Sequence, residues 1–595
     1  MLLSIALMAL AGPPAPVSAP LSQIQYDLSF TRETAARQQL HVTMQFTVGG
    51  TGDVLLSLPA WTPGAYEVSN FSRWVSGFAP SAGGTALSWD KLDYDTWRIR
   101  PAGARQVSVS FDYQADSLDN AMAWSQEDFA FFNGTNLLFY PEGRSLEFPA
   151  TVRVHTESDW QVVTGMHGGP ASTDLSERNY HDLVDMPFFV GHFDLDSTTV
   201  DGLTVRLATY PAGVLSGPTR ERFWVQYRNL FAPQIAVFGE TPFTAYTTLM
   251  VFAPAYPGGS ALEHQSSHLG IYTPAGIGQE WVTSITAHEI FHAFNVKRLR
   301  PAEMVPYRYD VAQPTPWLWV SEGITDYYAD LTLVRAELID SAQFLGVTAG
   351  KMEEVSQVPP TALEDASLST WIHPADGSGT LYYPKGSLAG FMLDILIRDA
   401  SDNRQSLDQV MRQLYQTTYR KGRGFGSAEW WGAVSQAAGG QKFEGLNARY
   451  IDGRDPFPWD SVLPLAGLRM VTDSAWLPRL GINTQQDSLE TRVTGLTPGG
   501  AADAAGVQVG DVILTLGDVM ISGVPGDAFE GFRAKYTGQD GADFPIRVRR
   551  SGTEVTLNGK IQLRLNVNRR LEADPGAGPK AARLRHGLFS GATGG

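Results

Sequence analysis

Cysteine is missing from all 595 residues. Disulfides, thiolate metal ligands and a cysteine nucleophile are therefore excluded, and the redox compartment is left undecided. Long apolar runs are missing too. After the first residues no segment approaches the ~20 consecutive apolar residues of a membrane-spanning helix. Positive charge is scarce, with 45 Lys and Arg against 62 Asp and Glu for a net charge of −17. So acidic a chain argues against nucleic acid as a partner, although it says little about substrate, since the charge can lie far from any cleft. Hydrophobic residues make up 43% of the chain, which is globular, and the length suggests about three or four domains.

What is present centres on Thr286-Ala287-His288-Glu289-Ile290-Phe291-His292-Ala293-Phe294-Asn295. It contains H-E-x-x-H. On a helix, positions i and i+4 lie on one face, so His288 and His292 can reach the same metal ion. Glu289, beside the first histidine, can reach a water on that metal, which is the zinc metallopeptidase arrangement. Trp281, Val282, Ile285, Phe291 and Phe294 give helical apolar spacing, with no Pro or Gly from Glu280 to Arg300. A second helix is expected over Trp317–Tyr328, where Glu322 sits in an apolar and aromatic run. A carboxylate in such surroundings is rare unless it is paired or binds metal. Two His and one Glu leave zinc an open position for water.

Three stretches then occur in order: His288-Glu289-x-x-His292, Asn295-x-Lys297-Arg298-x-Arg300-Pro301, and Ser321-Glu322-Gly323-x-Thr325-x-Tyr327-Tyr328. Together they resemble the glycyl aminopeptidase family, gluzincin-type zinc peptidases with a PDZ module near the C-terminus. The resemblance implies a multidomain α+β chain. A signal peptide is expected over 1–19, an N-terminal β-rich domain over 20–197 and a thermolysin-like catalytic domain over 198–460. A PDZ domain over 474–566 and a disordered tail over 570–595 complete it.

The chain supports these divisions by its own patterns. Met1 to Ala11 is a short apolar run, and Val17-Ser18-Ala19 offers a small-residue cleavage site. Such a leader implies export, to the periplasm or beyond the cell, although the basic start of a secretory signal is missing. Gln39–Val48 and Gln106–Tyr113 alternate as half-buried strands, indicating a sandwich-like domain. Its histidines, His155, His167, His181 and His192, are scattered and read as structural or surface groups. Arg220–Val237 reads as a helix, Phe243–Phe252 as a strand, and Leu388–Arg398 and Ser406–Tyr415 as helices. Pro498-Gly499-Gly500-Ala501-Ala502 and Ala505-Gly506-Val507-x-x-Gly510-Asp511-x-Ile513 resemble PDZ signatures, and Leu480-Gly481-Ile482 resembles the loop that binds a peptide C-terminus.

The resemblance also assigns chemistry. His288, His292 and Glu322 hold Zn2+, and Glu289 is general base and then general acid. Glu263, after Gly258-Gly259, matches the glutamate that binds the substrate α-amino group, although Ser260-Ala261-Leu262 stand between. His264 either lines that pocket or is structural. Tyr383-Pro384-Lys385-Gly386 resembles the motif whose tyrosine faces the tetrahedral centre, with Tyr382 the alternative oxyanion donor. Asn295 is expected to pack the helix or support the ligands. Lys297, Arg298 and Arg300 are expected to tie down the following loop, and Asp326 to orient a zinc-bound histidine. The expected activity is removal of N-terminal Gly or Ala from peptides. The alternatives are a zinc endopeptidase that captures C-termini through PDZ, and a catalytically silent peptide-binding protein.

Overall fold

The structure, a computed structural model, describes residues 16–166, 174–487, 490–524 and 527–594. His167 and most of the leader-like segment lie outside them. Ser18 and Ala19, expected at a cleavage site, are buried, and their amides donate to the carbonyls of Glu142 and Asp53. No helix among the described residues is long and apolar enough to cross a membrane.

The chain forms two compact units, one of Met1–Arg469 with Ala573–Gly595, the other of Met470–Glu572. The first unit opens with β-structure. Leu21–Ser29 pairs antiparallel with Gln39–Val48 and parallel with Ala150–His155, inside a seven-stranded sheet. Alternation decides which face is buried: Leu40, Val42, Met44, Phe46 and Val48 point inward while Gln39, His41 and Gln45 stay at least partly exposed. Two four-stranded sheets complete this part. Phe129–Asn133 and Pro187–Gly191 are buried throughout and pair antiparallel, Phe131 opposite Phe189.

A five-stranded sheet follows in the order Asp194–Val200, Leu203–Tyr210, Ala245–Phe252, Ser267–Tyr272, Gly259–His264. The division expected after residue 197 therefore falls inside its first strand. Leu203–Tyr210 and Ala245–Phe252 are parallel, and the helical crossover between them breaks at Leu230 into Gly217–Asn229 and Phe231–Phe238 rather than running unbroken. Ala245–Phe252 is almost wholly buried, as befits a strand covered on both faces. Gly259–His264 is the edge strand, set by a tight hairpin that pairs Glu263 with His268.

The helices Glu280–His292, Ile324–Arg335 and Pro384–Ala400 pack beside this edge. Ahead of the second lies one π-helical turn, Trp319–Gly323, which carries Glu322. Such turns displace one residue from the regular helical face and recur at functional sites. The second and third helices meet at glycines. A Cβ on Gly323 would stand 2.5 Å from the Gly386 Cα, and one on Gly386 would stand 2.8 Å from the Trp319 carbonyl. That close approach brings the Glu322 turn against the start of the helix behind Tyr383.

The tail expected to be disordered from residue 570 is ordered. Leu563–Ala573 is a strand and Pro579–Ser590 a helix whose Leu584 and Leu588 are buried in the first unit. Arg398, itself fully buried, donates to the Ala592 carbonyl at 3.0 Å. The low apolar content of this tail hid these few well-placed contacts. The second unit is thus an insertion, entered and left through a ribbon of Leu468–Pro478 paired with Leu563–Ala573. Its core gathers Leu480, Val493, Ile513, Leu516, Phe532, Phe544 and Val548. Gly481 has φ +70, and Ile482–Asp487 beyond it is an edge strand paired only with Glu490–Leu496 among the described residues.

Candidate functional site

The histidine pair falls where helical spacing puts it, at the C-terminal turn of Glu280–His292. The Nε2 atoms of His288 and His292 lie 2.9 Å apart. Glu322 Oε2 is 3.4 Å from the first and 3.1 Å from the second. A tetrahedral zinc with bonds of ~2.0–2.1 Å needs ligand atoms about 3.3 Å apart. The three donors come near that spacing, the two imidazoles being the closest pair at 2.9 Å.

The ligands are oriented from behind. His292 Nδ1 donates to the Asn295 carbonyl at 2.7 Å, which leaves the Nε2 lone pair available to a metal. Asn295 is held in turn, its Nδ2 donating to the Val320 carbonyl at 2.8 Å and to Thr325 Oγ1 at 3.0 Å. It therefore joins the helix that carries the two histidines to the turn that carries Glu322, a helix-packing role as expected. Asp326 acts on His288 electrostatically, favouring its protonated form against burial. Its carboxylate pairs with Lys351 at 2.6 Å, and Lys351 is shared with Asp330.

Charge in this cavity calls for a cation. Glu263, Glu289 and Glu322 are all buried. Burial pulls the His292 pKa down, but Glu322 and Glu263 outweigh it and hold it up at about 10. Glu322 is opposed by burial yet kept far below the usual carboxylate range by His292 and His288. Burial lowers His288, as suits a neutral ligand. Glu289 is pushed well up by burial, despite His292. Glu289 Oε2 and Glu263 Oε1 are buried with no hydrogen-bond partner among the described residues. Buried carboxylate oxygens without partners are costly, and a metal ion, its water and a cationic substrate group would each satisfy them. The residues fit a divalent metal with N and O ligands.

Glu263 reaches the cluster from the edge strand, its carboxylate within 4.8 Å of donor atoms on Glu289 and His292. Burial raises its pKa to about 7, against the pull of Lys297. The three residues after Gly259 do not displace it, because they simply extend the strand. His264, one of the expected substrate-binding residues, points away. It is fully buried with Nδ1 3.0 Å from Asp185 Oδ1. Strand alternation accounts for this, since neighbours face opposite sides.

Lys297 donates to Asp185 at 3.1 Å and to the Pro63 carbonyl at 3.0 Å, and lies 3.9 Å from Glu263. Arg298 and Arg300 donate to backbone carbonyls, among them those of Gln265, Ala293 and Lys297. These three basic residues tie down the loop as expected. Of the two tyrosines, the Tyr383 ring lies 6.0 Å from that of His288, while the Tyr382 hydroxyl is 3.3 Å from Thr370 Oγ1. Tyr383 is the one at the cluster, and burial raises its pKa, so it keeps a proton to donate. His155, His181 and His192 pair with Asp27, Tyr309 and Asp128, away from the cluster.

Sequence reasoning missed the wall opposite the helices. Trp61-Thr62-Pro63-Gly64-Ala65-Tyr66 comes from the β-rich part. A Cβ on Gly64, at φ +112, would lie 2.6 Å from both Glu263 oxygens. The Tyr66 hydroxyl donates to Glu322 Oε1 at 2.6 Å. Pro63-Gly64 signals a turn and nothing more.

Three family models match the chain. They are the Peptidase M61 N-terminal domain over 25–192, the M61 glycyl aminopeptidase over 281–389 and the PDZ domain over 477–532. Glu263 lies in none of these spans. Among solved structures, an aminopeptidase N family protein from Idiomarina loihiensis superposes with a TM-score of 0.78 at 21% identity, covering 95% of this chain and 100% of that one. The two share a fold. An M1 zinc metallopeptidase from Deinococcus radiodurans reaches a TM-score of 0.47 at 16% identity over 74% of this chain and 96% of its own, too slight a likeness to argue from. No curated protein sequence matches.

Proposed function

The chain carries the N-terminal and catalytic domains of the M61 glycyl aminopeptidases with a PDZ domain after them, and from that premise we propose a zinc-dependent aminopeptidase that removes N-terminal glycine or alanine from peptides. The observation that carries the reading is the Glu263 carboxylate, 4% exposed, set against the Gly64 backbone and within 4.8 Å of donor atoms on Glu289 and His292. Its Oε1 has no hydrogen-bond partner among the described residues, which suits the ammonium of a free N-terminus, a group that an internal peptide bond lacks.

His288, His292 and Glu322 would hold the zinc. When bound, it polarises the scissile carbonyl and makes hydroxide available near neutral pH. Glu289 takes the proton of the attacking water and returns it to the leaving amine. Tyr383 donates a hydrogen bond where negative charge develops on the carbonyl oxygen. Glu263 fixes the amino end and so the register of cleavage. The inserted domain binds peptide C-termini at Leu480-Gly481-Ile482. Leader-directed export belongs to the same reading.

The test is one matched pair of substrates, a Gly- or Ala-initiated peptide with a free and with an acetylated N-terminus. The free peptide should be cleaved after its first residue and the acetylated one spared. Equal cleavage of both would make the endopeptidase reading the better one.

A further inference from the structure

Tyr66 stands 256 residues before the carboxylate it touches, in a different part of the unit. Its backbone is left-handed, φ +49, a conformation that bulky residues adopt only when their surroundings impose it. The surroundings do so from several sides. The Ala60 amide donates to the Tyr309 carbonyl at 2.7 Å, and Trp61 Nε1 to the Arg308 carbonyl at 2.8 Å. Thr62 and Thr135 share a hydroxyl hydrogen bond at 2.6 Å, and Lys297 holds the Pro63 carbonyl at 3.0 Å. The Trp371 ring packs edge-on against Tyr66 at 6.2 Å. A loop clamped this firmly delivers one hydroxyl to one oxygen.

We propose that Tyr66 is a positioning residue for the metal ligand Glu322, acting on the zinc site inferred above. Glu322 has two oxygens. Oε2 faces both imidazoles, at 3.4 and 3.1 Å, while Oε1 accepts from Tyr66. A carboxylate free to turn can bind metal through both oxygens and fill the position a water needs. The Tyr66 hydroxyl engages the outer oxygen, so the carboxylate coordinates through one atom and the site keeps its open position. The β-rich part of the chain thereby completes the metal centre, which the two helices alone would leave less well ordered.

The test measures metal directly, on the full chain. Zinc affinity is taken by competition with a chromophoric chelator, and Tm is recorded with and without zinc. Tyr66→Phe keeps the ring against Trp371 and removes only the hydroxyl. It should weaken zinc binding about 10- to 100-fold, as loss of such outer partners does, and lower Tm more with zinc than without, since the bond it removes already exists before metal binds. Zinc affinity within twofold of the parent, or an equal loss of Tm with and without zinc, overturns the proposal. X-ray absorption at the zinc edge on the unmodified protein needs no variant. One carboxylate oxygen on zinc is expected, and two would refute the role. If the unmodified chain binds no zinc at all, the metal reading itself fails, an outcome distinct from the others.

Discussion

Replacing Glu263 by Gln tests the amine anchor with little structural disturbance. The two side chains match in size, so the contact with Gly64 stays filled, and only the charge is lost. The site is dry: the glutamate is 4% exposed. Its nearest cation, Lys297 at 3.9 Å, is already engaged by Asp185 at 3.1 Å. A substrate ammonium would therefore supply the nearby positive charge that burial denies this carboxylate and would favour its ionised form. A hydrogen bond to a charged group contributes about 1.5–3 kcal/mol. At ~1.36 kcal/mol per factor of ten, that is about a tenfold to hundredfold fall in kcat/KM for peptides with a free N-terminus. Acetylated peptides have no ammonium to lose, and their slow cleavage should not fall further. Four rates, two proteins against two substrates, form a cycle that isolates the coupling. Zinc content should be unchanged, because Glu263 is not among the three ligands. If Glu263→Gln slows cleavage of both substrates by the same factor, the coupling is zero and Glu263 is not an amine anchor, whatever it does for the fold.

Four other perturbations have definite expected outcomes. Glu289→Gln should retain zinc and lose about 10²- to 10⁴-fold in kcat; a variant with near-normal kcat would remove the general-base role. Excising residues 470–572 and joining the ends with a short Gly-Ser linker should leave a zinc-loaded unit that still cleaves small substrates, because the Asp574 amide already donates to the Gly467 carbonyl at 2.8 Å. Truncating near Asp455 should instead destabilise the unit, because the helix with Leu584 and Leu588 goes too and each buried leucine lost costs about 2–5 kcal/mol; equal melting temperatures for the two deletions would refute this. Burial, with Asp93 beside it, raises the Asp95 pKa to about 7. The folded state then holds that proton more tightly than the unfolded chain, so its contribution to stability is full below about pH 4 and is lost as pH rises through about 7. Tm measured across that range should decline less in Asp95→Asn than in the parent.

Much of the candidate site was legible because its signals are local. Four-residue spacing on a helix places His288 above His292 whatever the rest of the chain does. A glutamate in an aromatic run stands out as Glu322 does. Strand alternation in Gln39–Val48 and the turn glycines near Gly506 and Gly510 are equally short-range. Two side chains take partners that only the three-dimensional fold supplies. His264, left open between a pocket and a structural role, pairs with Asp185. Asp326, one turn after Glu322, pairs with Lys351 from another helix while also acting electrostatically on His288.

The sequence by itself determined part of the chemistry on offer: helical spacing puts His288 and His292 on one face with Glu289 beside them, and Glu322 stands out in its apolar run, whereas Glu263 and the tyrosine rested on the resemblance. It also marked out the inserted domain. Only the tertiary structure decided which of Tyr382 and Tyr383 faces the cluster, since the glycine contact between Gly323 and Gly386 sets how the third helix meets the second. It decided that the final helix belongs to the first unit. Above all it brought Gly64 against Glu263 and Tyr66 against Glu322. The physical reason is range. A periodic pattern constrains neighbours within a few turns, whereas a hydrogen bond across 256 residues depends on how whole sheets and helices pack.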